Sequence, residues 1–149
     1  MRKLLSLISL SLCFTGAAIA GEATQKQAVA MAEKGEAFLK ANGKDKLIEK
    51  INAKDPQFVD ADLYLVALDT KGNHLAHPVN SDLLGKSMLD VPDADGKMFR
   101  KERVDLAASK GKGWVDYKYK NPSTSKVENK TAYVLKSDDV ILTVGAYKQ

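Results

Sequence analysis

Residues Asp69 to Pro78 read DTKGNHLAHP. This segment follows an apolar run over 63–68, and it contains a glycine turn and a short strand that ends in His77 and Pro78. Because proline cannot donate a backbone hydrogen bond, it stops strand pairing directly after the histidine. The pattern predicts a β-hairpin with a histidine at its rim, which is typical of one wall of a small-molecule pocket.

Two helices are predicted upstream of this hairpin. Thr24 and Gln27 fit a capping box, and apolar side chains then recur at helical spacing over 28–39. A second, short helix is predicted over 44–52, and it ends before Pro56 because the residue preceding a proline disfavours helical backbone. The first third of the chain is therefore predicted to be helical.

The rest of the chain reads as a loop, a helix and a run of strands. Residues 79–96 are loop-like, and Asp95 can cap a helix that stops near Gly111. Strands are predicted over 113–119, 127–136 and 140–147. With the hairpin, this order predicts an α+β domain with a five- to six-stranded antiparallel sheet. The long N-terminal helix should cover one face and the 79–111 loop-helix insertion the other, with a ligand site between sheet and insertion.

The N-terminus has the features of an export signal. Residues 1–20 combine a basic start, an apolar run and an Ala-x-Ala site that ends at Ala20. The run is shorter than the roughly 20 residues that a membrane span needs. We expect cleavage after Ala20, a single domain over 21–149, and a periplasmic or secreted location. The alternative is a lipoprotein anchored at Cys13, which Leu12 disfavours because a small residue should precede such a cysteine.

Charge and cysteine content exclude several classes of function. Loss of Arg2 and Lys3 with the signal lowers the formal net charge from +4 to +2. This balance is too even, and the lysines too scattered, to predict a nucleic-acid partner. The signal also holds the only cysteine, so the mature chain should have neither a disulfide framework nor thiol chemistry. No membrane span is predicted in the mature chain.

His77 is the first candidate site residue. Neutral imidazole offers one hydrogen-bond donor and one acceptor, and it gains charge near physiological pH. His77 shares strand parity with Leu75, whereas His74 has the opposite parity. The alternative is a structural histidine that hydrogen-bonds a loop carbonyl and closes the hairpin, and the sequence leaves both interpretations open.

Metal and catalytic signals are weak. Residues 93–96, which read DADG, are similar to the start of a calcium loop, but Met98 and Lys101 stand where oxygen ligands are required. A turn that caps the next helix is the favoured interpretation, so no metal or other cofactor is predicted. No nucleophile elbow is present, and no acid or base can be nominated beside His77. We therefore predict a protein that is not an enzyme and has no catalytic residues.

A set of aromatic and cationic residues lies on the predicted strands and on the insertion helix. A small carboxylate withdrawn from water needs a cation or several N–H and O–H donors, together with an apolar wall. The members of the set are Arg100, Trp114, Tyr117, Tyr119, Lys130 and Tyr133. Each one alone is more simply explained as a core or rim residue. Strict alternation separates Lys130 from Tyr133, and Trp114 from Tyr117, so one pocket could hold all four only with a bulge or a strand end.

Together these features resemble the single Cache domain of the second type, a PAS-like extracellular sensor module found mostly in bacterial chemoreceptors and sensor kinases. The resemblance covers nearly the whole mature chain and rests on the order and spacing of its elements. The matching positions are 38–43, 58–60, 63–64, 69, 72, 76–80, 84–86, 93–97, 99, 113–117, 121–122, 126, 130, 133–134 and 144–147. The ending Gly145-Ala146-Tyr147 is shorter than the Gly-x-Gly-x-Tyr ending common in the family.

The resemblance implies recognition of small ligands outside the cytoplasm, often short organic acids, as part of chemotaxis or other signal transduction. The ligand-facing positions that it implies in this chain are Tyr64, His77, Arg100, Trp114, Tyr117, Lys130 and Tyr133. The implied partners are a small-molecule ligand, expected to be a carboxylate, and a membrane receptor or sensor kinase that passes the signal on. The alternative is an accessory protein that uses the fold for contact with a receptor or enzyme complex, and its pocket would be filled by side chains.

Overall fold

The computed structural model describes residues 17–148, with side chains from Thr24 onward. The core of the predicted export signal and the alternative lipid attachment at Cys13 lie outside the described residues. The helices are α1 (Ala17–Asn42), α2 (Lys44–Asn52) and α3 (Phe99–Lys110). The strands are β1 (Val59–Asp60), β2 (Leu63–Asp69), β3 (His74–Ala76), β4 (Lys112–Lys120), β5 (Val127–Ser137) and β6 (Val140–Tyr147).

The six strands form one antiparallel sheet, which confirms the α+β prediction. Five of them lie in the order β1-β2-β6-β5-β4, and β3 pairs with β2. β4 and β5 pair without a register shift from Lys112 opposite Leu135 to Lys120 opposite Val127. Side chains three residues apart on either strand therefore point to opposite faces of the sheet.

The sheet is covered on both faces, as predicted for the N-terminal helix and the 79–111 insertion. Leu65, with Val144 and Leu142 of β6, faces the buried side of α1 and packs with Met31 and Leu39. On the other face, side chains of β2, β4, β5 and β6 pack under α3. This second core consists of Tyr64, Val66, Leu68, Phe99, Ala107, Val115, Tyr117, Ala132, Val134 and Ile141.

Two predicted helix starts are wrong. α1 already begins at Ala17, upstream of the predicted cap at Thr24, because the alanine-rich segment before Thr24 favours helix. α3 begins at Phe99, and the residue at its N-cap position is Met98, whose side chain makes no capping hydrogen bond. Asp95 therefore does not cap this helix. The predicted stop near Gly111 is confirmed, because Gly111 takes the left-handed backbone conformation at the C-terminus of α3.

The loop before α3 is held in place by Asp93 rather than by a helix cap. One carboxylate oxygen accepts the backbone N–H groups of Asp95 and Lys97, each at 2.9 Å. The other oxygen accepts the backbone N–H of Lys118 in β4, also at 2.9 Å. The Asp93 side chain thus fastens the loop to the sheet. Within residues 17–148, no helix is both long enough and apolar enough to cross a membrane.

Candidate ligand-binding site

A small cavity lies between the sheet and the α3 side of the molecule. Its volume is about 30 Å³, enough for one or two water molecules, since a buried water needs roughly 10 to 15 Å³. The lining residues are Tyr64, Val66, His74, His77, Leu83, Phe99, Arg100, Arg103, Tyr117, Tyr119, Lys130, Thr143 and Gly145. The cavity therefore occupies the place predicted for a ligand.

Lys130 is the deepest charged group of the cavity. It lies on β5, its exposed fraction is 2%, and its Nζ lies 3.4 Å from the phenolic oxygen of Tyr64. The ammonium also lies 4.8 Å from the centre of the Tyr64 ring and 4.4 Å from that of Tyr147. Burial, with a smaller contribution from nearby Arg103, lowers the pKa of Lys130 to about 8. Aromatic rings thus partly replace the water that this ammonium has lost.

Arg103 is the second buried cation, and it comes from α3. Phe99, Arg103 and Ala107 form the buried side of this helix, because residues four apart lie on one helical face. The Arg103 guanidinium lies over the stacked rings of Phe99 and Tyr117, 4.8 and 4.4 Å from their centres. Its Nε is buried and makes no hydrogen bond. A buried N–H without an acceptor is costly, so this group is suited to receive one from a ligand.

Arg100 gives the cavity a third cation, one turn before Arg103. Its guanidinium lies 4.3 Å from the centre of the Phe99 ring and donates to the carbonyl oxygen of Val91 at 3.3 Å. No carboxylate of the described residues lies within 4.0 Å of the cationic group of Arg100, Arg103 or Lys130. No acidic residue lines the cavity either. The positive charge of the site is therefore not neutralised by neighbouring side chains.

His77 lies just after the end of β3 and faces this cavity. Its Nδ1 accepts the backbone N–H groups of Asn80 at 2.9 Å and Val79 at 3.3 Å, while the backbone N–H of His77 donates to Oδ1 of Asn52 at 3.0 Å. Burial, with the nearby positive charges, lowers the pKa of His77 to about 4. At neutral pH the ring is therefore uncharged with its proton on Nε2, which leaves an N–H donor. His77 orders the loop through Nδ1 and can serve a ligand through Nε2.

His74 also lines the cavity, although strand parity separated it from His77. The two rings lie 6.0 Å apart, because β3 ends at Ala76 and the alternation does not extend to His77. The His74 Nδ1 lies 2.9 Å from the carbonyl oxygen of Lys86. Since a carbonyl oxygen only accepts hydrogen bonds, Nδ1 must donate. Burial also lowers the pKa of His74.

Gly145 makes room for the polar groups at the centre of the site. A Cβ atom at this position would lie 2.7 Å from Cε of Lys130 and 2.8 Å from the hydroxyl oxygen of Tyr117. Real Cβ atoms essentially never approach other heavy atoms this closely. The absence of a side chain on β6 therefore allows Lys130 and Tyr117 to extend across the sheet towards the cavity.

Five of the seven predicted ligand-facing residues line this cavity, and two do not. Tyr64, His77, Arg100, Tyr117 and Lys130 are brought together. The prediction that Trp114 and Tyr133 share the pocket with them is wrong, because the β4–β5 pairing has no bulge and places both on the α1 face. There their rings pack 5.2 Å apart, and Trp114 lines a groove beside α1.

Four polar residues of the cavity were not predicted from the sequence as ligand contacts. They are His74, Arg103, Tyr119 and Thr143. Arg103 carried a usable signal, because it lies four residues after Phe99 and four before Ala107, on the apolar side of its helix. The cavity also shares Tyr64, His77 and Tyr119 with an outer groove of about 560 Å³, which extends past Val79 and Pro122 and supplies an approach for a ligand.

A sheet with a helical insertion over a cation-lined cavity defines a sensor domain of the PAS-like class. Residues 21–149 match the family described as Single Cache domain 2, so the chain belongs to this family. The family resemblance found in the sequence is thereby confirmed. Sensor histidine kinase MctS from Rhizobium johnstonii (strain DSM 114642 / LMG 32736 / 3841) is 33% identical over 84 residues, which are 56% of this chain and 18% of the kinase. The chain thus corresponds to a small part of that relative.

Solved sensor domains share the fold. A methyl-accepting chemotaxis protein from Vibrio parahaemolyticus RIMD 2210633 has a TM-score of 0.73 at 23% identity, covering 88% of this chain and 93% of that one. A Cache chemosensory domain, solved to give the structural basis for its carboxylic acid recognition, has a TM-score of 0.66 at 24% identity, covering 89% and 95%. At these identities the likeness is one of fold, and the ligand of this chain has to be argued from its own residues.

Proposed function

We propose that this Cache domain binds a short organic acid in the cavity beneath α3 and reports its presence as a sensor. The observation that carries the proposal is the set of three cations, Arg100, Arg103 and Lys130, which line one cavity without a carboxylate partner. Burial of unpaired charge is costly. A bound anion would offset that cost because its opposite charge pairs directly with the cations, which neutral solvent cannot do.

A carboxylate fits the donors that face the cavity. The buried N–H of Arg103 and the ammonium of Lys130 can each form a charge-assisted hydrogen bond with a carboxylate oxygen. His77 adds a neutral N–H donor, and the rings of Phe99 and Tyr117 provide an apolar wall. The volume of about 30 Å³ accepts the head group of a small acid, and the outer groove can hold what extends beyond it.

The same charges disfavour other ligands and the alternative function. An amine or a metal cation would face three like charges. An accessory protein that only contacts other proteins would have no use for unpaired cations in a cavity, although binding to a receptor or sensor kinase remains part of the proposal. The 33% identity to part of a sensor histidine kinase supports a partner of this kind. We also propose a periplasmic location with cleavage after Ala20, which the mass of the protein purified from the periplasm would test.

Ligand screening with charge-matched pairs tests the binding proposal. Acetate and propionate should raise the melting temperature of the protein, whereas acetamide and propionamide, which have similar shapes but no charge, should not. Ligand at a hundred times its dissociation constant should stabilise the fold by about 2.7 kcal/mol. Equal effects of acids and amides, or no effect of any acid at millimolar concentration, would contradict the proposal.

A pair of matched variants locates the binding. Lys130→Met should abolish stabilisation by acids, because it removes the buried ammonium. Lys136→Met changes an exposed lysine on the same strand, six residues further along, and should retain it. Acid binding that survives in Lys130→Met would place the ligand elsewhere.

A further inference from the structure

The two histidines of the cavity offer opposite hydrogen-bonding groups. The Nδ1 of His77 accepts two backbone N–H groups, so its free Nε2 carries the proton and donates. The Nδ1 of His74 donates to the carbonyl oxygen of Lys86, so in the neutral ring its free Nε2 has a lone pair and accepts. Neither Nε2 makes a hydrogen bond with any described residue. The lowered pKa of each ring keeps both in these neutral forms at pH 7.

The lone pair of His74 sets a requirement that a plain carboxylate does not meet. Carboxylate and ketone oxygens only accept hydrogen bonds, so either one placed against this nitrogen would be repelled. A ligand that presents a hydrogen-bond donor of its own satisfies this nitrogen and should therefore bind more tightly than a plain carboxylate. An ammonium donor is excluded on charge, because Arg100, Arg103 and Lys130 line the same cavity and no acidic side chain does. A hydroxyl group donates one hydrogen bond, carries no charge and satisfies the lone pair.

The size of the cavity places that hydroxyl close to the carboxylate. With room for about 30 Å³, the inner cavity takes a head group and little else. The His74 and His77 rings are only 6.0 Å apart, so one head group can reach both. We infer that the ligand of this site is a short 2-hydroxy acid, whose carboxylate meets the cations and the Nε2–H of His77 while its hydroxyl donates to the Nε2 of His74. This inference rests on the proposed function.

Two series of three related ligands each test the inference. Glycolate, acetate and glyoxylate differ only at the second carbon, as do lactate, propionate and pyruvate. Titration calorimetry of the purified protein should show the hydroxy acid binding at least about tenfold more tightly than both other members of its series, because a site that hydrogen-bonds a hydroxyl discriminates against analogues without it. Glycine and alanine should not bind. If acids bind without preference for the hydroxyl, the inference fails and the proposed function stands; if none binds, both fail.

The His74→Phe variant tests whether His74 recognises the hydroxyl group of the ligand. The ring shape is kept, and the carbonyl oxygen of Lys86 retains a partner because it also accepts the backbone N–H of His74 at 3.1 Å. This variant should still bind acetate, but the affinities for glycolate and acetate should become equal. A preference for glycolate that survives unchanged would remove His74 from the inference.

The tautomers can be observed without any variant or ligand. The chain has two histidines, so nitrogen-15 labelling of histidine gives a spectrum of two rings. Long-range proton–nitrogen correlation at pH 7 should show one ring protonated at Nδ1 and the other at Nε2. Two rings in the same tautomer would overturn the inference directly.

Discussion

The Nζ of Lys130 lies 3.4 Å from the phenolic oxygen of Tyr64, and no carboxylate of the described residues approaches it within 4.0 Å. A buried lysine is usually paired with a carboxylate. Lys130 instead has a long contact with a neutral hydroxyl and contacts with aromatic rings. The attraction of Asp62 acts on Lys130 only from a greater distance. The empty protein therefore keeps a charge that it stabilises poorly and that an anion would stabilise well.

Removal of this charge should stabilise the empty protein. Lowering the pKa of Lys130 from 10.5 to about 8 corresponds to a cost of about 3 kcal/mol below pH 8. Lys130→Met keeps an unbranched apolar side chain and removes the cost, so urea denaturation at pH 7 should show a gain of about 1 to 3 kcal/mol. Lys136→Met should change the free energy of unfolding by less than about 0.5 kcal/mol. A less stable Lys130→Met protein would show that the ammonium contributes favourable contacts even without a ligand.

Stability should rise with pH in the alkaline range. The folded protein loses the Lys130 proton near pH 8 and the unfolded chain near 10.5, so between these values the unfolded state binds more protons. The free energy of unfolding should therefore increase by about 2 kcal/mol from pH 8 to pH 10. The buried Tyr64 and the half-buried Tyr147, whose pKa values are raised, oppose the rise as the pH nears 10, where tyrosines of the unfolded chain begin to ionise. Urea titrations across this range should show the increase in the native protein and not in Lys130→Met.

Most of the fold could be predicted because its signals are local. Helical and strand periodicities and the turns lie in consecutive residues. Strand parity also predicted that Trp114 and Tyr117, and likewise Tyr133 and Lys130, point to opposite faces of the sheet. The unbroken β4–β5 register confirms this. The error lay in grouping both pairs in one pocket by chemistry alone, since alternation outweighs residue type in a sheet without bulges.

The remaining features of the site depend on contacts that no periodicity encodes. His77 reaches the cavity because pairing ends at Ala76 and because its Nδ1 binds backbone N–H groups of the following loop. The tautomer of His74 depends on the carbonyl of Lys86, twelve residues away. Arg103 is not part of an apolar periodicity, because a long cationic side chain can be buried over aromatic rings as well as exposed to solvent.

Two glycine substitutions should separate ligand binding from packing. Gly145→Ala places a Cβ atom 2.7 Å from Cε of Lys130, so we expect acid affinity to fall at least about tenfold as Lys130 and Tyr117 are displaced. Gly35→Ala creates a similar clash, 2.6 Å from a methyl carbon of Leu65, but on the α1 face of the sheet. It should lower the melting temperature and leave the acid affinity unchanged. Titration calorimetry and thermal denaturation of both variants check this, and equal loss of affinity would indicate a general packing effect.

Asp93 should hold the insertion over the cavity through its hydrogen bonds rather than through its charge. Asp93→Ala removes the acceptor of three backbone N–H groups, one of which belongs to Lys118 in β4, and should cost about 1 to 3 kcal/mol of stability. Hydrogen exchange at the Lys118 amide should accelerate as the loop detaches.

The neighbouring Asp95 provides the control for this variant. Its carboxylate pairs with the Lys118 ammonium at 3.0 Å on the surface, where an ion pair contributes less than about 1 kcal/mol. Asp95→Ala should therefore leave exchange at the Lys118 amide almost unchanged. High salt should weaken the Asp95 pair and leave the effect of Asp93→Ala intact, because surface ion pairs are screened whereas the three backbone hydrogen bonds depend on local geometry. Similar exchange rates in the two variants would show that the loop is held by charge instead.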